Sequence, residues 1–478
     1  MPWKQTQINI KVSLFNSYFP NKKFIFVFNS FKLSFMTLPE AFVKRTNSIL
    51  GEEFQQLEKA LGEVPPTSIR MNDKMNFQPS EERVSWCEHG YYLKERPLFT
   101  ADPLFHAGVY YVQEASSMFL YQVIKQHCPT ARNVLDLCAA PGGKSTLLTQ
   151  ALPHSSLLVS NEIVRSRAYI LVENLIKWGN PNVVVTNNEP KDFGNLPGFF
   201  DAMVIDAPCS GEGMFRKDAG AIQEWSEYNV TLCAKRQREI LSAVWDTLKE
   251  DGILVYSTCT FNREENEDNV KWICDELGAD LLTMDLKGNK DIALSDGGYR
   301  FYPHKTRGEG FFLSVVRKNS EKISTFKNKS DNRKAIKPLN NTFIPPLSLL
   351  EPERWVILQE NNLIKAYDKE RLNDFLLLNK QLKCMHSGIL LGEVKGSDFI
   401  PATCIALSKK LNKETIQNVE VDYQTAISFL KKEAIQLPET SRGFLLISYK
   451  NQALGWVKNV GNRCNNLYPP EWRIRMKL

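Results

Sequence analysis

Short apolar runs separated by amphipathic stretches set the middle of this chain apart. Between Asn133 and Lys318 the runs fall at 134–137, 157–160, 183–186, 202–205, 253–256 and 311–316. Each is too short for a buried helix and rich in Val, Ile, Leu or Phe, so each reads as a strand. Between them, 166–177 and 231–249 read as helices. Strands alternating with helices predict an α/β unit built on a mostly parallel, doubly wound sheet. The last run, Phe311-Phe312-Leu313-Ser314-Val315-Val316, can join that sheet in antiparallel sense.

The flanks follow other patterns. Over 39–61, Phe42, Ile49, Leu50, Phe54, Leu57 and Leu61 recur at helical spacing, and Gly62 with Pro65-Pro66 ends the helix. Residues 67–72 read as a short strand, giving a small α+β module. A second helix carries Met118, Leu120, Val123 and Ile124. After 318 the chain becomes rich in Lys, Asn and Ser and reads as a linker. Apolar patterning resumes at Phe343, with a strand pair at 444–449 and 455–461 joined near Asn451 and a basic, aromatic end at 466–475. Residues 1–35 hold no Asp or Glu. As a targeting segment they fit badly: Asn21-Lys22-Lys23 leaves only Phe24-Ile25-Phe26-Val27-Phe28 as an apolar stretch, and no small-residue cleavage site follows. They read as a non-native or disordered leader ahead of a functional start at Met36. The expected division is a leader at 1–35, an N-terminal module at 36–115, a catalytic domain at 116–318, a linker at 319–342 and a C-terminal region at 343–478.

Composition narrows the class. A chain of 478 residues suits two or three domains, and 43% hydrophobic residues allow each a core. The formal charge of +6 permits a nucleic-acid partner without requiring one. Ten scattered cysteines, with no C-x-x-C pair, indicate a reducing compartment and a cytoplasmic protein rather than a disulfide framework. The six histidines lack metal-ligand spacing, so no metal is expected. No apolar run approaches a membrane span.

Three segments carry candidate chemistry. The first, Val134-Leu135-Asp136-Leu137-Cys138-Ala139-Ala140-Pro141-Gly142-Gly143-Lys144-Ser145, is a strand running through a small-residue turn into a helix. Such a turn lets a ligand approach the backbone and offers free N–H groups at a helix start. Gly143-Lys144-Ser145 imitates the end of a phosphate-binding P-loop, but that motif needs Gly where Cys138 stands. Glu162 follows the next strand, where a carboxylate holds ribose hydroxyls in dinucleotide-type folds. Glu189 and Asp192 both follow the strand after that, where an acid can reach an adenine, with Glu189 preferred by position. The second segment, Asp206-Ala207-Pro208-Cys209-Ser210-Gly211, and the third, Tyr256-Ser257-Thr258-Cys259-Thr260, each put a cysteine just past a strand. Ligands of open α/β sheets bind beyond the carboxyl ends of strands, and Asp136, Glu162, Asp206, Cys209 and Cys259 all map there. The other eight cysteines read as small buried hydrophobes.

These segments resemble the hallmarks of the RNA cytosine-C5 methyltransferases that use S-adenosylmethionine. So do Gln113-Glu114-Ala115-Ser116-Ser117-Met118 and the stretch from Tyr302-Pro303-His304 to Glu309-Gly310-Phe311-Phe312. The resemblance runs over 36–318. The C-terminal part, with residues 456–461 and 468–474, is similar to the PUA-like RNA-binding module of the bacterial 16S rRNA branch. The resemblance implies a Rossmann-like methyltransferase sheet with a small N-terminal α+β RNA-binding module and a C-terminal RNA-binding domain. It implies S-adenosylmethionine held by Cys138, Ala139, Ala140, Pro141, Gly142, Gly143, Lys144, Glu162, Glu189 and Asp206. It makes Cys259 the nucleophile that adds to cytosine C6, Asp206 the acid at the N3 edge, Lys144 its support and Cys209 the assistant in release. At Glu189 the chain departs from the family's usual Asp, which lengthens the reach to the ligand. Arg216 and Lys217 either meet RNA phosphates or form a solvated basic patch.

The expected activity is methylation of C5 of a cytosine in RNA, most readily 16S rRNA, by a monomeric enzyme with RNA as its partner. A tRNA substrate, a non-catalytic RNA-binding protein on the same fold and a dinucleotide oxidoreductase are the alternatives. Intact Cys209, Cys259, Asp206 and Lys144 argue against a dead enzyme, and two sheet-end thiols have no obvious use in hydride transfer.

Overall fold

The computed structural model describes residues 37–75, 79–319, 337–338, 347–437 and 440–477. The expected leader with its start at Met36, and most of the expected linker, lie outside the described residues.

The N-terminal module holds two helices, Glu40–Leu50 and Phe54–Leu61, and three strands, β1 (Thr67–Met71), β2 (Gly90–Leu93) and β3 (Tyr110–Val112), in the antiparallel order β2-β1-β3. One helix was expected over 39–61. Gly51 adopts φ +57°, a left-handed conformation that an α-helix cannot continue through, and it splits that stretch.

The central sheet has ten strands. Its parallel part consists of β4 (Asn133–Asp136), β5 (Leu157–Asn161), β6 (Val183–Thr186), β7 (Phe200–Asp206) and β8 (Leu248–Thr258). β9 (Ala279–Leu281), β10 (Ala293–Ser295), β11 (Gly298–Phe301) and β12 (Phe311–Lys318) complete one side. The path is β10-β11-β12-β8-β7-β4-β5-β6, with β9 also on β12. β12 runs antiparallel to β8, as its sequence allowed, with Val315 opposite Val255. β4, β5 and β6 are buried at every position, because helices cover both faces, so they read as continuous apolar runs rather than alternating ones. The helix expected over 231–249 is shifted. Ser226 accepts a hydrogen bond from Asn229 N and starts it at Glu227, and it stops at Val244 because Leu248 already belongs to β8. From β4 the chain moves outward through β5 and β6, then returns to lay β7 and β8 on the other side. The reversal opens a crevice above the carboxyl ends of β4 and β7.

The tenth strand comes from far along the chain. Cys384–Ser387 pairs antiparallel with β6 and closes the sheet's other edge. It belongs to a segment that otherwise forms a five-stranded sheet with the helix Leu372–Gln381. That helix and its sheet put Leu358, Tyr367, Phe375, Leu378 and Leu382 into the same core cluster as Val184, Phe193, Leu196 and Phe200. A final four-stranded sheet includes the hairpin Gly443–Tyr449 and Gln452–Asn459. Lys450 and Asn451 both have positive φ, the two-residue turn whose twist suits a hairpin. This last sheet shares a core with the N-terminal module: Ile69, Tyr91 and Phe99 cluster with Phe429, Leu445 and Tyr468. No helix among the described residues is long and apolar enough to cross a membrane.

Candidate active site

The first wall of the crevice is the turn after β4. Gly142 sits at φ +113°, and a Cβ there would lie 3.2 Å from Leu171 Cδ1, so glycine suits both the bend and the space. The helix Gly143–Ala151 starts immediately after it, leaving first-turn N–H groups available to a ligand. Asp136 is fully buried beneath this turn. Its Oδ2 accepts 2.6 Å from Ser145 Oγ, while Oδ1 has no hydrogen-bond partner in the protein. Burial raises its pKa to about 7, against the pull of Ser145.

Glu162 is 3% exposed at the end of β5. Its Oε1 accepts from Val164 N at 2.8 Å, and Arg167 approaches Oε2 at 3.3 Å. Arg167 also donates to Ala140 O at 2.9 Å, tying the acid to the turn. After β6, Asp192 accepts from Glu189 N and Asn188 Nδ2, each at 3.0 Å, so its carboxylate is spent on the local turn. Glu189 is exposed; its carboxylate pairs with Lys191 at 2.6 Å and caps the turn through the N–H of Asp192. Asn161 joins the three loops. Its side chain donates to Leu137 O at 3.2 Å and Asn188 O at 3.0 Å, and accepts from Thr186 Oγ1 at 2.8 Å and Asn188 N at 3.0 Å. Neither Asn161 nor Arg167 stood out in the sequence, since an Asn and an Arg near a strand end form no motif.

The second wall carries the thiols. Cys209 Sγ lies 3.1 Å from Cys259 Sγ and accepts from Cys259 N at 3.3 Å. The hydrogen bond with Cys259 and burial both push the Cys209 thiol well above its ordinary pKa, so it stays protonated. Lys144, from the first wall, pairs with Asp206 Oδ2 at 2.8 Å, and Ser257 donates to Asp206 Oδ1 at 2.8 Å. Burial works to lower the Lys144 ammonium, but Asp206 and Asp136 outweigh it and hold its pKa above the usual lysine value.

The loops behind the thiols are fixed by two buried carboxylates. Glu212 accepts from Trp225 Nε1 (3.0 Å), Thr260 Oγ1 (2.7 Å), Phe261 N (2.7 Å) and Asn262 N (2.9 Å). Glu265 accepts from Ser210 N (3.0 Å), Gln237 Nε2 (2.8 Å) and Asn262 Nδ2 (2.7 Å), and burial raises its pKa. Glu212 directly follows the Asp206 to Gly211 segment and was not singled out in the sequence. Arg216 proves to be neither a phosphate ligand nor a solvated cation. Its side chain is 4% exposed, pairs with Glu309 at 2.9 Å and donates to Gly308 O at 2.7 Å. Lys217 meets the same Glu309 at 3.2 Å. The two instead lock the loop beyond Cys209 to the segment before β12.

The residues of the first wall suit a nucleoside-bearing ligand: an unpartnered buried carboxylate oxygen, a bare turn, a strand-end acid and a second acid on the next loop. Among the described residues no group of three or more His, Cys, Asp or Glu is placed to hold a metal ion.

Sheet order, turn and strand-end acids define a Rossmann-like methyltransferase of the S-adenosylmethionine-dependent class. Solved structures of that kind share the fold: a methyltransferase homologue from Pyrococcus horikoshii is 27% identical, with a TM-score of 0.51 over 59% of this chain and 96% of that one. NSun6 from the same organism, 21% identical, gives 0.50 over 60% and 100%. Residues 126–317 match the model described as 16S rRNA methyltransferase RsmB/F. Residues 38–115 match the N-terminal domain of 16S rRNA methyltransferase RsmF, and 416–474 the methyltransferase RsmF PUA domain. The ribosomal RNA small subunit methyltransferase F of Vibrio cholerae serotype O1 is 30% identical over 473 residues, 91% of this chain and 98% of that one. Its counterpart in Aliivibrio salmonicida is 29% identical over 469 residues, 91% and 97%. The chain belongs to the ribosomal RNA small subunit methyltransferase F family, in line with the 16S rRNA branch whose RNA-binding module its C-terminal part resembled.

Proposed function

We propose that this protein methylates C5 of a cytosine in 16S rRNA through a covalent bond between Cys259 and C6, as a cytoplasmic monomer with S-adenosylmethionine as methyl donor. The observation that carries the proposal is the pair of thiols 3.1 Å apart, on the same strand ends where Lys144 from the glycine turn pairs with Asp206. Bound S-adenosylmethionine supplies an electrophilic methyl group. In this reading residues 138–144 with Glu162, Glu189 and Asp206 hold it, and Asp136 lends its free oxygen from below.

Cytosine C5 is a poor nucleophile until C6 is attacked. The competent form of Cys259 is the thiolate, and Cys209 beside it keeps its own proton. Cys259 Sγ forms a bond to C6; the C5–C6 π pair becomes the C4–C5 bond and the N3–C4 pair goes onto N3, which takes a proton from Asp206, the acid at the base edge. C5 is then enamine-like and would take the methyl group from the sulfonium, whose C–S electron pair stays on sulfur in the departing thioether. A base removes the C5 proton, and the electron pair left behind expels Cys259 from C6. Cys209, in contact with Cys259, is the group that assists this last step. The target base must leave its stack to reach the thiols. The modules at 36–115 and 343–478 are proposed to position the RNA.

Trapping tests the covalent step. With unmodified small-subunit rRNA and S-adenosylmethionine, Cys209→Ala accumulates a protein–RNA adduct that survives a denaturing gel, while Cys259→Ala forms none. An adduct from Cys259→Ala alone exchanges the two roles. Retained activity in both variants, without an adduct, removes the covalent mechanism. Bisulfite mapping of the rRNA then identifies the methylated position.

A further inference from the structure

The loop after β6 is held from outside by a segment some two hundred residues later in the chain. The helix Leu372–Gln381 packs against the turn Pro190–Asn195, which directly follows Glu189. The chain leaves that helix extended, with Leu382 at φ −118° and ψ 160°, and Lys383 then meets the loop through its main chain. Asn187 N donates to Lys383 O at 3.1 Å, and Lys383 N donates to Asn188 Oδ1 at 2.9 Å. Cys384–Ser387 continues as the strand on β6.

Asn188 is the junction. It is 9% exposed, and its side chain and main chain are both engaged. Outward, Oδ1 takes the Lys383 N–H. Inward, its N–H and carbonyl bond the Asn161 side chain, at 3.0 Å each. Asn161 in turn bonds Leu137 O at 3.2 Å and, through its carbonyl, Ala139 N at 2.8 Å. A continuous path of hydrogen bonds thus runs from Lys383 to the turn after β4. Along the way Asn188 Nδ2 holds Asp192 at 3.0 Å, which shapes the backbone from which Glu189 projects.

We infer that the C-terminal region completes the cofactor pocket, with Asn188 as a positioning residue that carries its support to the loops after β4 and β6. This rests on the reading of those loops as the S-adenosylmethionine site. A polar network with one partner removed leaves its other members unsatisfied, so the loop loses its set position even where the sheet remains folded.

Equilibrium binding of S-adenosylmethionine to the full chain, by titration calorimetry well below the unfolding temperature, tests it. Three variants separate the possibilities. Asn188→Ala removes the side-chain links to Lys383 and Asp192 and keeps the main-chain bonds to Asn161. Lys383→Pro removes the N–H donor together with the long Nζ contact to Asn187 Oδ1 at 3.5 Å, and the extended Leu382 is the backbone a following proline favours. Lys383→Ala keeps both main-chain groups. Asn188→Ala and Lys383→Pro should each weaken binding by about five- to tenfold, the cost of roughly one hydrogen bond, while Lys383→Ala stays within twofold of the parent. Combining Asn188→Ala with Lys383→Pro should add little, since both cut one link. A purely structural role predicts instead a lower melting temperature with unchanged affinity in all three, and that result overturns the inference alone. No saturable binding by the parent protein overturns the cofactor reading and the inference with it.

Discussion

The two walls of the crevice are built on different plans. The thiol wall is nearly self-sufficient: Glu212, Glu265, Gln237 and Asn262 all belong to the segment between β7 and β9, and their buried hydrogen bonds fix the loops behind Cys209 and Cys259. The cofactor wall leans on distant parts of the chain. Arg70, on β1 and 0% exposed, reaches Thr146 Oγ1 and Gln150 Oε1 at 2.6 Å each and Gly143 O at 3.4 Å, while Lys383 supports the other side. The contrast fits the tasks. On the proposed mechanism, two sulfur atoms that work on one base need a relative position fixed to a fraction of an ångström, which dense local bonding supplies. A nucleoside ligand spread over three loops can be tuned from outside, and here both flanking modules touch those loops.

Four changes break or sharpen this comparison. The largest effect is expected from Cys259→Ala, which removes the proposed nucleophile and should cut methyl transfer by on the order of 10⁴-fold or more. Transfer of labelled methyl to rRNA reads it, with cofactor affinity unchanged because the sulfur belongs to the other wall. Next comes Glu212→Ala. It strands the N–H groups of Trp225, Phe261 and Asn262 together, and at about 1–3 kcal/mol for each unsatisfied buried group it should cost about 4 kcal/mol or more of stability in urea unfolding. A loss below 1 kcal/mol would show that the thiol wall does not depend on its own carboxylates.

A smaller, more selective effect is expected at Arg70. Burial lowers its pKa to about 10, yet it stays charged at neutral pH and donates to Gln113, Gln150 and Thr146. Arg70→Met should raise the cofactor Kd by about threefold to tenfold, the range of one or two weakened hydrogen bonds, with turnover recovered at saturating cofactor. Impaired adduct formation at saturation would instead tie the N-terminal module to the thiol wall.

The last change concerns Asp136, and it bears on stability rather than on either wall's chemistry. Its pKa is about 7 in the folded protein, and an unfolded Asp titrates near 3.9. The folded state therefore keeps a proton that the unfolded state has lost, so stability falls as pH rises from about 4 to 7. Asp136→Asn should remove that part of the slope, measured by urea unfolding at pH 5 and pH 8. An unchanged slope would place the titration elsewhere.

Much of this molecule was legible before any tertiary contact was known. Strands β4 to β8 and β12 declare themselves as apolar runs because both faces are covered. The site positions declare themselves because chemistry collects at strand ends. The two places where the helices were misread have local causes, a left-handed Gly51 and the cap at Ser226.

What the sequence by itself determined is the central sheet, the glycine turn and two thiols bound for one edge of that sheet, since apolar periodicity and motif spacing are local properties. What only the tertiary structure decided is what holds them. Arg216 was open to two roles, and burial against Glu309 gave it a third. Glu212 looked like a loop residue until five groups converged on it. Cys384–Ser387 had no signature as a strand of the catalytic sheet, because an edge strand is defined by the neighbour it meets, and that neighbour, β6, lies about two hundred residues earlier. Hydrogen bonds and burial between distant segments depend on where the whole chain has been brought, and no local pattern records that.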